Sequence, residues 1–247
     1  MNIDNLLELV KKRRSIRRFK RDPVPDGYIE HILETARWAM SGANAQPWEF
    51  VVVKNSDIRA KIGEMLKERW NRESFVEEFR VPELRHQGVL PESRELNTVG
   101  LGDPPAFIVV CGDPRTFQST VLYATFLQSE HHIFHMNIGN ATQIIHLAAA
   151  ALGLNSQWIT VNDPLFEDDL KNLLSIPREL RVFVIVPIGY PAYEPAPSYR
   201  RELAEIVHYE SYDQSKYRTD EDIRKYIVQL REKTRPTYVR KKFHHDV

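Results

Sequence analysis

Apolar residues recur at helical spacing along several stretches of the chain. Leu6, Leu9 and Val10 behind Asp4 predict an amphipathic helix from Asn5 to about Lys12, capped by Asp4, with those three side chains facing inward. After Pro23-Val24-Pro25, the positions Ile29, Ile32, Leu33, Ala36 and Met40 predict a second helix with Asp26 as its cap. Ile58, Ile62, Met65 and Leu66 give Ser56 to Trp70 the same spacing. Runs of β-branched and aromatic residues at Trp48 to Val53, Ala106 to Val110 and Val182 to Ile188 predict buried strands. The stretch Asn137 to Leu152 is apolar nearly all round, the pattern of a buried helix. Gly153 follows it as the C′ residue, and Ser156 to Thr160 then reads as extended.

Two regions lack this order. Residues 71–105 are charged, proline-punctuated and aperiodic, which predicts an excursion over the surface able to act as a lid. From His208 on, the chain is polar and tyrosine-rich, with one further helix at Asp220 to Lys233. Its Ile223, Tyr226, Ile227 and Leu230 fit an arm that packs on another surface, either its own flank or a partner's. Helices segregated from a few strands suggest an α+β fold. With no internal repeat, residues 1–247 are expected to form a single domain, with the variable excursion 71–105 and a C-terminal extension 208–247.

Composition narrows the functional classes. The 247 residues carry 34 Lys+Arg and 34 Asp+Glu, so a whole-molecule polyelectrolyte role on nucleic acid is not expected. One cysteine, Cys111, excludes an internal disulfide and a Cys-rich zinc site. The longest apolar runs fall well short of the roughly 20 residues of a membrane span. Met1 to Val10 contains Asp4 and Glu8 and has no secretory apolar core, so a cytoplasmic protein without a membrane partner is the expectation.

Charge is densest at Lys11 to Arg21, where eight of eleven residues are basic. A solvated turn, a nucleic-acid patch and a small-phosphate site are all open on charge alone. Ser15 among the arginines and the apolar anchors Ile16 and Phe19 favour a specific anion site, because guanidinium forks bind phosphate bidentately. Ser41 to Trp48 joins a helix to a strand and offers hydroxyl and amide groups around Gly42. Gly100-Leu101-Gly102 precedes a strand, and Pro105 stands where a dinucleotide motif needs its third glycine, so that reading is rejected. Phosphate-loop and nucleophile-elbow motifs are absent. Among His131, His132 and His135, the pair His131 and His135 could share one helix face, but no third ligand appears at a recognised spacing; the three read as helix-surface residues, so no metal is expected. Glu77-Glu78 and Asp168-Asp169 read as solvated faces.

Taken together, Arg13 to Phe19, Pro23-Val24-Pro25 and Ala39 to Trp48 resemble the FMN-dependent nitroreductase family in order and spacing. The resemblance continues through Leu147 to Ile159, Ile188-Gly189-Tyr190-Pro191 and Arg200 to Val207. It implies a nitroreductase-like fold, with a central, mostly antiparallel sheet flanked by helices, in an intertwined homodimer holding FMN at the subunit interface. It also implies residue roles. Arg13, Arg14, Ser15 and Arg17 would hold the FMN phosphate and ribityl chain and reach the N1/O2 edge, and Arg200 with Arg201 would supply a second phosphate grip. Met40, Ser41, Gly42 and Asn44 would come from the opposite subunit. Gln157, Trp158, Ile159 and Thr160 would line the N5 edge. Met40 replaces a proline common in the family, so the Ser41 loop lacks that rigid ring.

The activity implied is electron transfer from NADH or NADPH, through bound FMN, to a small organic acceptor such as a nitroaromatic or quinone. No general acid or base is assigned, since the flavin would supply the chemistry. Dehalogenase-like and dehydrogenase members of the same fold are alternatives. A flavin-free protein using the basic segment for an anionic ligand is another.

Overall fold

The computed structural model describes residues 2–77, 104–118, 130–195 and 198–234. The chain divides into two compact units, Met1–Tyr193 and Glu194–Val247. The first contains helices α1 (Ile3–Lys12), α2 (Asp26–Ala36), α3 (Ser56–Glu77), α4 (Pro114–Gln118), α5 (Glu130–Ala151) and α6 (Pro164–Leu174). Its strands are β1 (Trp48–Val53), β2 (Ala106–Gly112), β3 (Asn155–Ser156), β4 (Ile159–Thr160) and β5 (Arg181–Gly189). The sheet runs β1-β2-β5-β3, with β4 also paired to β5, and every strand pairing is antiparallel. This is the α+β architecture expected.

β2 is buried along its whole length. A strand covered on both faces reads as an unbroken apolar run, as Ala106 to Cys111 does. On one face Ala106, Ile108 and Val110 pack with Ile29, Ile32 and Ala36 of α2 and Ile138, Ala141, Ile145 and Ala149 of α5. On the other, Phe107, Val109 and Cys111 meet Ile62 and Leu66 of α3 and Phe166 and Leu170 of α6. The β2–β5 register shifts between Val110 and Cys111, leaving Phe183 as the extra residue of a bulge. Its ring meets Phe134 of α5 edge-on, with centroids 5.4 Å apart. Gly112 permits this approach: a Cβ there would lie 2.8 Å from Phe134 Cζ and 2.9 Å from Ile138 Cδ1.

Beside β5, Glu167 of α6 is buried and accepts from the Val182 N–H at 3.0 Å. The same oxygen lies 2.9 Å from Lys171 Nζ and 3.3 Å from Arg181 Nε. The sequence reading did not single out this cluster, although Glu and Lys four apart on one helix are its visible trace.

The structure corrects several element expectations. Asn2, not Asp4, caps α1, its side chain accepting from the Asn5 N–H at 2.9 Å. No residue of α1 is buried: Leu9 is half-buried and the helix contacts α5, while Leu6 and Val10 remain 39% and 43% exposed, so the expected inward face is only partly covered by its own chain. Pro25 occupies the N-cap position of α2, and Asp26, one residue inside, pairs with Lys54 instead of capping. α2 ends at Ala36, and Met40 lies beyond it, 81% exposed. α3 runs into the stretch read as aperiodic and reaches Glu77. No proline or glycine interrupts the chain between Gly63 and Glu77, and a charged composition does not by itself forbid a helix. The remainder of the 71–105 excursion, 78–103, lies outside the described residues. α5 starts at Glu130, earlier than the apolar pattern indicated, and exposes His132 and His135; the side chain of His131 lies outside the described residues. Asp168 and Asp169 are exposed, as read.

The second unit holds two short 3-10 turns, Leu203–Glu205 and Gln214–Lys216, and helix α7 (Asp220–Thr234). Within it the Arg218 guanidinium lies over the Tyr226 ring at 4.7 Å. Among the described residues, no helix is long and apolar enough to cross a membrane.

Candidate functional site

The edge of the sheet beyond β5 is discontinuous. β3 pairs Asn155 and Ser156 with Gly189 and Ile188, while β4 pairs Ile159 and Thr160 with Ile185 and Val184. Between them Gln157 stays buried, and Trp158 turns outward, 40% exposed. The basic segment that follows α1 is bonded onto this edge. Ser15 bridges Ser156, and the Ile16 N–H donates to the Ser156 carbonyl at 3.0 Å. Further on, the Lys20 N–H donates to the Tyr190 carbonyl at 2.8 Å and Phe19 bridges Pro191. Ile16 is fully buried, so the apolar residue among the arginines is the anchor that its position suggested. Arg13, Arg14 and Arg17 are half-buried around it, and Ser15 is exposed. The structure thus bonds the Arg13 to Arg17 segment to Ser156, the residue immediately ahead of Gln157 to Thr160.

α5 underlies the same place through His146, which is buried. Its Nδ1 lies 2.6 Å from Ser156 Oγ, and its ring stacks on Trp158 at 5.8 Å. Burial, and then the Arg13 cation, push His146 down to about 4 from an ordinary 6.5. Above pH 6.5 the imidazole is neutral in the folded and unfolded chains alike and contributes no pH dependence. As pH falls from 6.5 toward 4, the unfolded chain takes up a proton that the folded site refuses. Stability should therefore drop by about 3 kcal/mol across that window on this group's account. Urea denaturation at pH 7 and pH 4 checks this, with His146→Gln expected to lose that part of the slope.

The Ser41 loop docks elsewhere on α5. The Gly42 N–H donates to Asn137 Oδ1 at 3.0 Å, and Asn140 Nδ2 donates to the Met40 carbonyl at 3.1 Å. Ser41 Oγ accepts from the Gln46 N–H at 3.1 Å, so this hydroxyl shapes its own loop. Left-handed backbone falls on Ala43, Asn44 and Gln46, with φ of 54°, 53° and 45°, and not on Gly42. Three non-glycine residues held there mark a strained loop, kept in place by α5. Asn137 and His146 are nine positions apart, about 14 Å along a helix. Within one chain the Met40 to Asn44 group and the Arg13 to Thr160 group are therefore separate. The docking asparagines and His146 escaped the sequence reading, but they are polar interruptions of an otherwise apolar helix, and that was their signal.

Arg69 of α3 also escaped it. Its Nη1 donates to the Thr160 carbonyl at 2.5 Å and its Nη2 to Asn162 Oδ1 at 2.6 Å, with the guanidinium 5.4 Å from the Phe166 ring centroid. Arg200 and Arg201 lie in the second unit. Arg200 Nη1 donates to the Tyr199 carbonyl at 2.8 Å, and Arg201 pairs with Glu205 at 3.2 Å. Cys111 is buried and its thiol is pushed up to about 12, chiefly by burial, which removes it as a nucleophile. A cavity of about 300 Å³ is lined by Arg21, Asp26, Lys54 and Arg59 among others, none of them a sequence-predicted site residue. Its cations are engaged there, Lys54 with Asp26 and Arg59 with the Lys54 and Pro104 carbonyls.

Two buried acceptors at the sheet edge, Asn155 Oδ1 and Gln157 Oε1, have no hydrogen-bond partner among the described residues. Acceptors of this kind beside a set of arginines fit a ligand that carries both an anionic group and N–H donors.

Residues 10–190 match the nitroreductase family. The chain is 30% identical to an NADH dehydrogenase of Thermus thermophilus, over 79% of this chain and 91% of that one. It is 28% identical to an iodotyrosine deiodinase of Thermotoga neapolitana, over 84% and 98%. Among solved structures, an iodotyrosine deiodinase bound to FMN and 3-iodo-L-tyrosine superimposes with a TM-score of 0.60 at 27% identity, covering 84% of this chain and all of that one.

Proposed function

This chain belongs to the nitroreductase family, and on that premise we propose that it is an FMN-dependent oxidoreductase, which takes electrons from NADH or NADPH and passes them to a small organic acceptor such as a nitroaromatic or quinone. The observation that carries this reading is the bonding of the arginine segment onto Ser156, immediately ahead of Gln157 to Thr160. Bound FMN would supply hydride acceptance and delivery, in alternating half-reactions at one open face.

The chain's own residues bind, orient and tune. Arg13, Arg14, Ser15 and Arg17 form the grip for the phosphate and ribityl chain, with Arg200 and Arg201 as the second arginine pair. A fixed cation at Arg17 favours the negative charge that gathers at the N1/O2 edge on reduction. Gln157, Trp158, Ile159 and Thr160 present the strand edge at N5. The neutral state of His146 keeps a second positive charge out of the wall behind them.

Met40, Ser41, Gly42 and Asn44 are assigned to the cofactor of a second copy. Two features support a homodimer. The Ser41 loop lies apart from its own chain's arginine segment, and α1 leaves Ile3 74% and Leu7 49% exposed, with Trp38 73% exposed as well. Apolar surface of that kind is ordinarily covered by a partner. A cytoplasmic location belongs to the same reading.

The test is direct. Purified protein mixed with FMN and dialysed should retain a visible flavin band, and light scattering should give about twice 28.9 kDa. A colourless dialysed protein of monomer mass overturns the reading. The deiodinase relatives favour one further possibility for the acceptor, a halogenated aromatic reduced with loss of halide. Anaerobic reduction by NADH and NADPH, followed by a nitroaromatic, a quinone and 3-iodo-L-tyrosine, separates the two.

A further inference from the structure

The sheet edge at Thr160 has an orientation that the pairing fixes. In an antiparallel ladder successive residues turn their N–H and C=O groups alternately toward and away from the neighbouring strand. The Val161 N–H donates to the Phe183 carbonyl of β5 at 2.8 Å, so Val161 faces β5. Thr160, one residue earlier, therefore turns both its N–H and its C=O to the open edge. There its carbonyl meets Arg69 Nη1 at 2.5 Å, while Nη2 holds Asn162 Oδ1 at 2.6 Å. Arg69 is only 9% exposed, and its guanidinium lies over the Phe166 ring, so the fork is held from behind as well as in front. The Thr160 side chain is fixed too, its hydroxyl accepting from Trp158 Nε1 at 3.0 Å. A charged, buried, bidentate donor is more than two residues of edge strand need for pairing alone.

We propose that Arg69 is a positioning residue for the flavin. By clamping the Thr160 carbonyl it sets the direction of the Thr160 N–H on the same edge, and that N–H is the donor aimed at flavin N5. The inference rests on the FMN reading above. Its consequence concerns electron number. A donor held toward N5 would disfavour the addition of a proton there after uptake of one electron. It would thereby oppose the one-electron-reduced form and favour transfer in pairs.

Four FMN-loaded proteins test this: the unsubstituted chain, Arg69→Met, Arg69→Lys and Asn162→Ala. Each is titrated anaerobically with dithionite while the long-wavelength absorption of one-electron-reduced flavin is followed. Arg69→Met should raise the maximal ratio of that form on the order of fivefold, the factor that one hydrogen bond commands. Arg69→Lys, which keeps a charge able to reach one carbonyl, should fall between Arg69→Met and the unsubstituted protein. It also provides the comparison if Arg69→Met does not fold. Asn162→Ala leaves the Thr160 contact in place and should match the unsubstituted protein. An unchanged ratio in Arg69→Met with one FMN bound per chain overturns the proposal. So does an equal rise in Asn162→Ala, which would indicate general loosening of the segment. An unsubstituted chain that binds no FMN overturns the functional reading itself, a result distinguishable from both.

Discussion

Glu167→Ala is expected to destabilise the protein by roughly 3 to 5 kcal/mol, the cost of leaving a buried charge without its partner. One carboxylate oxygen serves the Val182 N–H, Lys171 Nζ and Arg181 Nε, and the side chains of Glu167 and Lys171 are 10% and 9% exposed. Burial disfavours the charged carboxyl, but the Val182 N–H, Lys171 and Arg181 together outweigh it and hold Glu167 below the ordinary carboxylate value. Its contribution is therefore present above that ordinary value and is lost as pH falls through the lowered one. Urea denaturation at pH 7 measures the effect, and a loss under about 1 kcal/mol would show that Lys171 finds water or another acceptor. Replacing both residues with methionine should cost much less than Glu167→Ala, because no charge is then stranded.

Arg17→Ala should weaken FMN binding roughly ten- to hundredfold, corresponding to about 1.5 to 3 kcal/mol for a charge-assisted hydrogen bond. The substitution should be clean. Ile16 is fully buried and its N–H is bonded to Ser156, so the backbone stays in place when the neighbouring guanidinium is removed. Arg17→Lys keeps the charge but not the planar fork and should recover only part of the affinity. Quenching of flavin fluorescence during titration gives the constants, with Arg200→Ala alongside. If Arg17→Ala and Arg200→Ala both keep stoichiometric flavin through dialysis, the assigned phosphate grip is wrong.

How much of this could be read in advance depends on where the determining force lies. β2 and most of β5 were legible because a strand buried on both faces leaves little choice of residue but apolar ones, and β1, exposed at Glu49 and Val52, because β-branched and aromatic residues dominate it. The arginine segment was legible for a similar reason: Ile16 and Phe19 make no sense in a solvated turn. α1 shows the limit. Periodicity identified an apolar face but not what covers it, and that face is only partly covered in the single chain. At its start the cap is Asn2, two residues before the expected Asp4, a shift within the ordinary scatter of helix boundaries. Arg69 was invisible because a lone arginine in a charged helix looks like solvated surface until the strand it grips is in place. Asn137 and Asn140 were readable only as interruptions, since the loop they hold lies some hundred positions away in the sequence.

The strand order also bears on how the molecule comes into being. β2 finds β1 already synthesised, but its other neighbour, β5, is made only after α5 and α6. During translation the run from Phe107 to Cys111 is therefore a water-exposed ribbon with one side unzipped, available to any sticky stranger. Slowing synthesis between β2 and β5 would lengthen that exposure.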